Sequence, residues 1–349
     1  MSVEKSVYGK MNGKDVAAFT ICNKNGTKAV IIEKGATLDK LFVKAKNGGF
    51  FDVLVGHDTL EGHIERSDYQ GVVVGRFANR ISNGSFVMDG KTYNVTKNEK
   101  GITCLHGGGE FSFAHWSGEI LSDKAVCFTY ESPENSEGFP GKVTAKVVYE
   151  LSDNDELFIK YDAVSDKKTP LNLTNHAYFN LNGTGSGSIL EHSLKLFADR
   201  FTPIDENSIP TGELRPVKGT PFSFETAKKI GKDIEADDEQ LKNGNGYDHN
   251  FCLTNFDGTL KTAAVAVGDK TNIKLTVKTD LPGVQLYTGN FLDGTVIGKN
   301  GAPLTKRCAF CLETQVFPNS LNHPEWHQKC FFDAGEHYKS TTVFAFSVE

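Results

Sequence analysis

The sequence predicts an all-β protein, a large antiparallel β-sandwich, on three observations. Hydrophobicity alternates with a period of two over long stretches, Asp-Gly and Asn-Gly pairs recur between the alternating runs, and helical periodicity is nearly absent. Val143, Ala145, Val147, Tyr149 and Leu151 alternate with Thr144, Lys146, Val148 and Glu150, and Ser152-Asp-Asn-Asp155 turns the chain into Leu157, Ile159, Tyr161 and Ala163. That is a long hairpin with one buried face. A second hairpin, Ser85–Met88 into Lys91–Val95, is closed by Asp89-Gly90, a pair suited to a type I′ turn because both central residues need positive φ. Similar turn pairs stand at Asn25-Gly26, Asn47-Gly48, Asp257-Gly258 and Asp293-Gly294.

Further strands are expected at Ala29–Ile32, Asp39–Val43, Ser193–Phe197, Asn272–Lys278, Val284–Gly289, Cys308–Val316 and Thr341–Val348. The strongest helical candidate, Glu225 to Lys242, contains Gly231 and a cluster of acids and reads as short turns or a loop. No linker, low-complexity tract or internal repeat divides the 349 residues, so one domain over 1–349 is the economical expectation.

Composition narrows the function. A net charge of −6 and a pI near 6.0 provide no basic footprint for phosphates, so nucleic acid is not an expected partner. No apolar run approaches a membrane span, and Met1 to Tyr8 lacks the apolar region of a signal peptide; the expected location is cytoplasmic. Seven scattered cysteines suit reduced thiols better than a disulfide framework. Cys308-Ala-Phe-Cys311 invites a metal or redox reading, but on an extended strand such a pair points to opposite faces, so packing is expected. No His-x-x-x-His or His-Glu-x-x-His spacing exists, and neither a metal nor another cofactor is expected.

Several segments put polar groups where a strand should be apolar. In Pro170-Leu-Asn-Leu-Thr-Asn-His-Ala-Tyr-Phe-Asn-Leu181, extended parity sends Asn172, Thr174, His176 and Tyr178 to one face, which is either wet or lines a ligand site. Alone, His176 reads more readily as a satisfied structural histidine. Glu313 and Gln315 share a face with Cys311, and glutamate is depleted in strands and rarely buried without a partner. Gln285 and Tyr287 fall together on their own strand. Leu105-His-Gly-Gly-Gly109 sets His106 before glycines that let backbone approach a ligand closely, Gly75-Arg-Phe-Ala-Asn-Arg-Ile81 offers Arg76 and Arg80, and Tyr247-Asp-His-Asn-Phe251 adds Asp248 and His249; the first two look like loops.

Taken in order, these segments together resemble the aldose 1-epimerase family, the galactose mutarotases in particular. The resemblance rests on residues 75–81, 105–108, 172–181, 247–251, 283–290 and 311–315 and runs from about Gly35 to the C-terminal strand. It implies a galactose mutarotase-like supersandwich with an open sugar-binding cleft, in which Glu313 is the catalytic base and His176 the acid, while Asn79, Arg80, His106, Asp248 and Gln285 hold the sugar hydroxyls. The implied substrate is a free hexose, galactose or glucose, and the implied assembly a monomer or homodimer. The segment Gly109-Glu-Phe-Ser-Phe-Ala-His115 before Trp116 departs from the family's longer stretch of glycine, phenylalanine and lysine, and is expected to edge the cleft.

Mutarotation takes a proton from the C1 hydroxyl and gives one to the ring oxygen, so one base and one acid suffice. A glutamate is expected to be ionised at neutral pH without tuning, and its charge to favour a protonated His176. Rival readings are a glycoside hydrolase, a non-catalytic sugar-binding protein, and an enzyme for hexose 6-phosphates, which Arg76 and Arg80 would serve.

Overall fold

Alternation of buried and outward side chains builds sheets that meet over a shared apolar core. The computed structural model describes residues 2–65, 68–254 and 256–349. The long hairpin forms as Val143–Leu151 against Glu156–Ser165, in unbroken register from Val143 opposite Ser165 to Leu151 opposite Leu157. Every second residue of it is buried. Around it grows a nine-stranded antiparallel sheet in the order Ser117–Ser122, Ala125–Ser132, Val143–Leu151, Glu156–Ser165, His337–Val348, Ile273–Thr279, Lys261–Val267, Ser193–Leu196 and Lys228–Lys229.

A five-stranded N-terminal sheet, Ser2–Met11, Lys14–Cys22, Lys28–Ile32, Thr37–Lys44 and Phe50–Asp52, runs as a meander in chain order. Phe19 of this sheet meets Phe128 of the large one edge to face, with ring centroids 5.4 Å apart, the geometry that aromatic quadrupoles favour. The third sheet holds Arg215–Pro216, Ala198–Phe201, Asp248–Leu253, Gly283–Tyr287 and Cys311–Gln315. One core cluster takes Phe19 and Ile31 from the first, Val147, Ile159 and Phe344 from the second, and Val284, Leu286 and Leu312 from the third. Burying those faces against one another is what removes the apolar stripes from water.

The hairpin Ser85–Met88 with Lys91–Asn94 forms around Asp89 (φ 50°) and Gly90 (φ 75°). Three details differ from expectation. The strand expected from Cys308 starts at Cys311, because Phe310 exchanges both backbone hydrogen bonds with Phe179 instead of the neighbouring strand. With Cys308 outside the strand, the opposite-face argument fails, and both cysteines sit in one buried apolar cluster with Tyr178 and Tyr287. Within 225–242, Glu239–Asn243 forms one helical turn whose N–H groups at Gln240 and Leu241 donate to the Asp238 side chain. Asp248 opens a strand, Asp248–Leu253.

Candidate active site

One face of the third sheet turns away from the shared core. Its registers place Asp248 opposite Tyr287, Gln285 opposite Glu313 and Tyr287 opposite Cys311. Alternation points Leu286 and Leu312 into the core, so Glu313, Gln285 and Tyr287 must point the other way, although both strands are buried throughout. Above this face lies a cleft of about 380 Å³, at the small end of the range for ligand pockets. Asn79, Arg80, His106, His176, Asp248 and Glu313 line it, with Tyr69, Tyr178, Tyr287 and Phe291 among the aromatic walls.

His176 Nε2 lies 3.6 Å from Glu313 Oε1, and both residues are buried. That separation is beyond hydrogen-bond reach, so the two groups stand side by side without spending their proton on each other. Glu313 Oε2 is buried with no hydrogen-bond partner. Burial is also the largest influence on both titrations. It pushes the Glu313 carboxyl up to about 8, reinforced by the nearby Asp248 charge and opposed by Arg80, and pushes the His176 imidazole down to about 4. The expectation of an untuned, ionised glutamate holding a protonated histidine is therefore corrected: in the ligand-free cleft, burial favours a protonated Glu313 beside a neutral His176.

Four aromatic rings surround His176, among them Tyr287 edge on at 6.4 Å. Tyr178 stacks on it at 5.0 Å and 15°, Tyr69 lies nearly parallel at 6.1 Å and 18°, and His106 meets it edge on at 5.2 Å. Tyr178 in turn donates its hydroxyl proton to the Asp68 carbonyl at 2.8 Å. Of the four polar side chains that parity put on one face, His176 and Tyr178 reach the cleft. Asn172 instead accepts from the Val316 N–H, tying down the end of the Glu313 strand, because only Thr174–Asn175 of this segment is regular strand.

His106 and Asn79 are locked together by their backbones. The His106 N–H donates to the Asn79 carbonyl at 2.9 Å, and the Asn79 N–H donates to His106 Nδ1 at 3.2 Å. Nδ1 must then be the bare nitrogen and Nε2 the protonated one, a donor for the cleft. The glycines after His106 serve a different neighbour from the one expected. A Cβ on Gly107, at φ 62°, would stand 2.4 Å from the Gly75 carbonyl oxygen and 2.5 Å from the Arg76 nitrogen, so the close approach is to backbone and not to a ligand.

The two arginines of residues 75–81 part ways. Arg76 is fully buried and donates to Ser132 Oγ and the carbonyls of Pro133, Pro140 and Gly141; it reinforces the fold away from the cleft. Arg80 lines the cleft, with Nε and Nη2 each 2.8 Å from a Glu99 carboxylate oxygen and Nη1 3.8 Å from Asp248 Oδ2. Asp248 accepts from Gln285 Nε2 at 2.8 Å, and Gln285 Oε1 accepts from Gln315. Gln285 thus stands one layer behind Asp248 instead of lining the cleft. His249 turns away and packs on Phe201 and Phe222.

In the atypical segment, expected to edge the cleft, Phe113 packs against Tyr69 at 5.5 Å, but none of residues 109–115 lines the cleft itself. Motif reading missed Asp68, Tyr69 and Glu99. They come from loops whose place is set by tertiary packing, and no local pattern marks them.

His106, His176 and Glu313 bring potential ligand atoms within 4.8 Å of one another, a grouping that sequence spacing could not disclose. Its hydrogen bonding does not suit a metal. A metal-bound imidazole donates through its other nitrogen, whereas His106 Nδ1 faces the Asn79 N–H, so binding through Nε2 would set two hydrogens against each other.

Comparisons with known proteins agree along the whole chain. A sequence profile described as aldose 1-epimerase matches residues 17–345. The galactose mutarotase of Bos taurus is 42% identical over 351 residues, covering 100% of this chain and 99% of its own. The aldose 1-epimerase of Escherichia coli is 36% identical over 340 residues, 97% of each. Among solved structures, an aldose epimerase homologue from C. elegans superposes with a TM-score of 0.87 at 32% identity, over 95% of this chain and 99% of its own. A galactose 1-epimerase from Lactobacillus acidophilus does so with a TM-score of 0.87 at 27% identity, over 99% of each.

Proposed function

This chain belongs to the aldose 1-epimerase family, and we propose that it interconverts the α and β anomers of free hexoses, galactose and glucose, with Glu313 and His176 as the proton-transfer pair. The observation that carries the assignment of these two residues is the 3.6 Å approach of His176 Nε2 to Glu313 Oε1 inside a buried cleft. The C1 hydroxyl and the ring oxygen are bonded to one carbon, so the groups that exchange protons with them must be neighbours, and these are.

Glu313 takes the C1 hydroxyl proton while His176 gives one to the ring oxygen, and the bond from C1 to the ring oxygen breaks to leave the open-chain aldehyde. Rotation about the bond to C1 turns the other carbonyl face toward the C5 hydroxyl. Closure runs the same transfers backwards: the hydroxyl adds to the carbonyl, His176 recovers its proton and Glu313 returns the other. The pair holds one proton throughout, first on His176 and then on Glu313. Burial favours the second arrangement in the ligand-free cleft as well, so the bound sugar has to draw the proton to His176 before the ring opens.

Asn79, Arg80, His106 and Asp248 are assigned to the hydroxyls distant from C1, leaving C1 free to rotate, and Gln285 to orienting Asp248. No metal takes part in this scheme. The hexose 6-phosphate reading loses its support, since Arg76 is spent on backbone carbonyls and Arg80 on Glu99. A hydrolase would need a second carboxyl poised as acid or nucleophile, and Asp248 is held between Gln285 and Arg80. The unpaired, mostly buried cysteines fit a reducing compartment, and we assign the protein to the cytoplasm as one catalytic domain working as a monomer or homodimer. Among the described residues no helix is long and apolar enough to cross a membrane.

Polarimetry on freshly dissolved α-D-galactose and α-D-glucose tests the reading. Both rotations should relax far faster than in buffer, and nitrophenyl glycosides should release no nitrophenol. Release of nitrophenol without accelerated mutarotation would replace this reading with the hydrolase.

A further inference from the structure

The cleft carries more negative charge than a neutral sugar requires. Apart from Glu313, whose carboxyl burial keeps protonated, Asp68, Glu99 and Asp248 line it, against Arg80 and Lys100. Glu99 takes no part in the proton transfers, yet its two oxygens occupy one edge of the Arg80 guanidinium at 2.8 Å each. That edge is the planar fork with which arginine holds a phosphate or carboxylate. The arrangement is rigidly mounted. Arg80 lies on a short strand paired with Leu105, and Glu99 opens a turn whose backbone bonds join it to Ile102 and Thr103, directly before that partner strand.

What remains of Arg80 faces Asp248 across a gap. Nη1 and Asp248 Oδ2 are 3.8 Å apart, too far for a hydrogen bond. A hydroxyl can bridge them, accepting from the guanidinium and donating to the carboxylate. A phosphate suits the gap poorly: at neutral pH it is mostly a dianion with no proton to donate, its charge meets that of Asp248, and the Nε–Nη2 edge of Arg80 is already held by Glu99.

We propose that Glu99 is a specificity-determining residue, which takes the Nε–Nη2 edge of Arg80 away from anions and leaves a gap toward Asp248 suited to a neutral sugar hydroxyl. The proposal rests on the mutarotase reading for the identity of the sugar. With the C6 hydroxyl taken as the one that meets this gap, its consequence is a cleft that admits free hexoses and refuses hexose 6-phosphates.

Titration calorimetry with D-galactose and D-galactose 6-phosphate on wild-type, E99Q and E99D protein tests this. Wild type should bind galactose and bind the phosphate at least tenfold more weakly. E99Q removes the competing charge and should bind galactose 6-phosphate about tenfold or more tightly than wild type, the scale of one hydrogen bond to a charged group. E99D keeps the charge but is too short to span the fork, so it should lose galactose affinity and still refuse the phosphate. In polarimetry, E99Q should raise KM for galactose by more than it lowers kcat. Phosphate affinity in E99Q within threefold of wild type overturns the proposal, as does E99D admitting the phosphate as well as E99Q. Wild type that binds galactose 6-phosphate as tightly as galactose overturns it without any variant. Failure of wild type to accelerate mutarotation would remove the mutarotase reading and leave this binding comparison to stand or fall separately.

Discussion

Glu313 and His176 show how burial inverts the ordinary protonation of a glutamate and a histidine. A carboxyl pushed up to about 8 and an imidazole pushed down to about 4 together hold one proton over the range between those values. Apparent values measured for such a neighbouring pair belong to the pair and not to either residue. Below about 4 a second proton on His176 leaves no base, and above about 8 loss of the Glu313 proton leaves no acid. The expected pH profile of kcat/KM is therefore level through neutrality, with a falling alkaline limb near 8. An acid limb near ~6.5, the ordinary histidine value, would contradict it by showing that His176 titrates as an exposed imidazole. Strand parity marked both positions as unusual, Glu313 as a carboxylate on a strand and His176 on a face of hydrogen-bonding side chains, but their roles as a pair were implied only by the family resemblance. The pair's protonation was not legible, since that depends on how much protein covers it.

At the level of elements, the period of two recovered the Val143–Ser165 hairpin, while the N-terminal hairpin of Ser2–Met11 and Lys14–Cys22 went unread, although Asn12 (φ 52°) and Gly13 (φ 77°) make the same kind of turn as Asp89-Gly90. Six of the ten residues in Ser2–Met11 are exposed, so the strand carries little alternation to read. The His106–Gly109 turn teaches the opposite lesson, since its glycines were noticed but assigned to the wrong neighbour. G107A should separate the two roles. Its Cβ meets Gly75 and Arg76 backbone that cannot yield, whereas a Cβ at Gly13, equally at positive φ, meets nothing within 4 Å. G13A should cost about 1 kcal/mol of backbone strain alone. G107A should cost several kcal/mol and weaken galactose binding, because the displaced turn carries His106 away from Asn79. Denaturant midpoints and calorimetry on both variants check this; equal stabilities would show that the turn tolerates a side chain.

Across the whole molecule, the division of labour follows the sheets. The nine-stranded sheet and the N-terminal meander bury most of the apolar core, and the smaller third sheet supplies Asp248, Gln285 and Glu313 from three adjacent strands while loops and a short strand from elsewhere bring Asn79, Arg80, His106 and His176 over its face. Architecture was legible because alternation and turn residues are local, whereas the loops' contributions, Glu99 and Tyr69 among them, depend on contacts far apart in sequence. The same division means that a change of charge at Glu313 should spare the fold, because Leu312 and Thr314 keep the opposite face of the strand packed. Glu313→Gln preserves shape and hydrogen-bonding capacity and removes only the base, so its polarimetric rate on α-D-galactose is the most direct measurement of the mechanism. The folded variant should still bind galactose and lose at least ~10² in kcat, the low end for one general base. Mutarotation by Glu313→Gln at a rate near that of the wild type would contradict the mechanism at its centre.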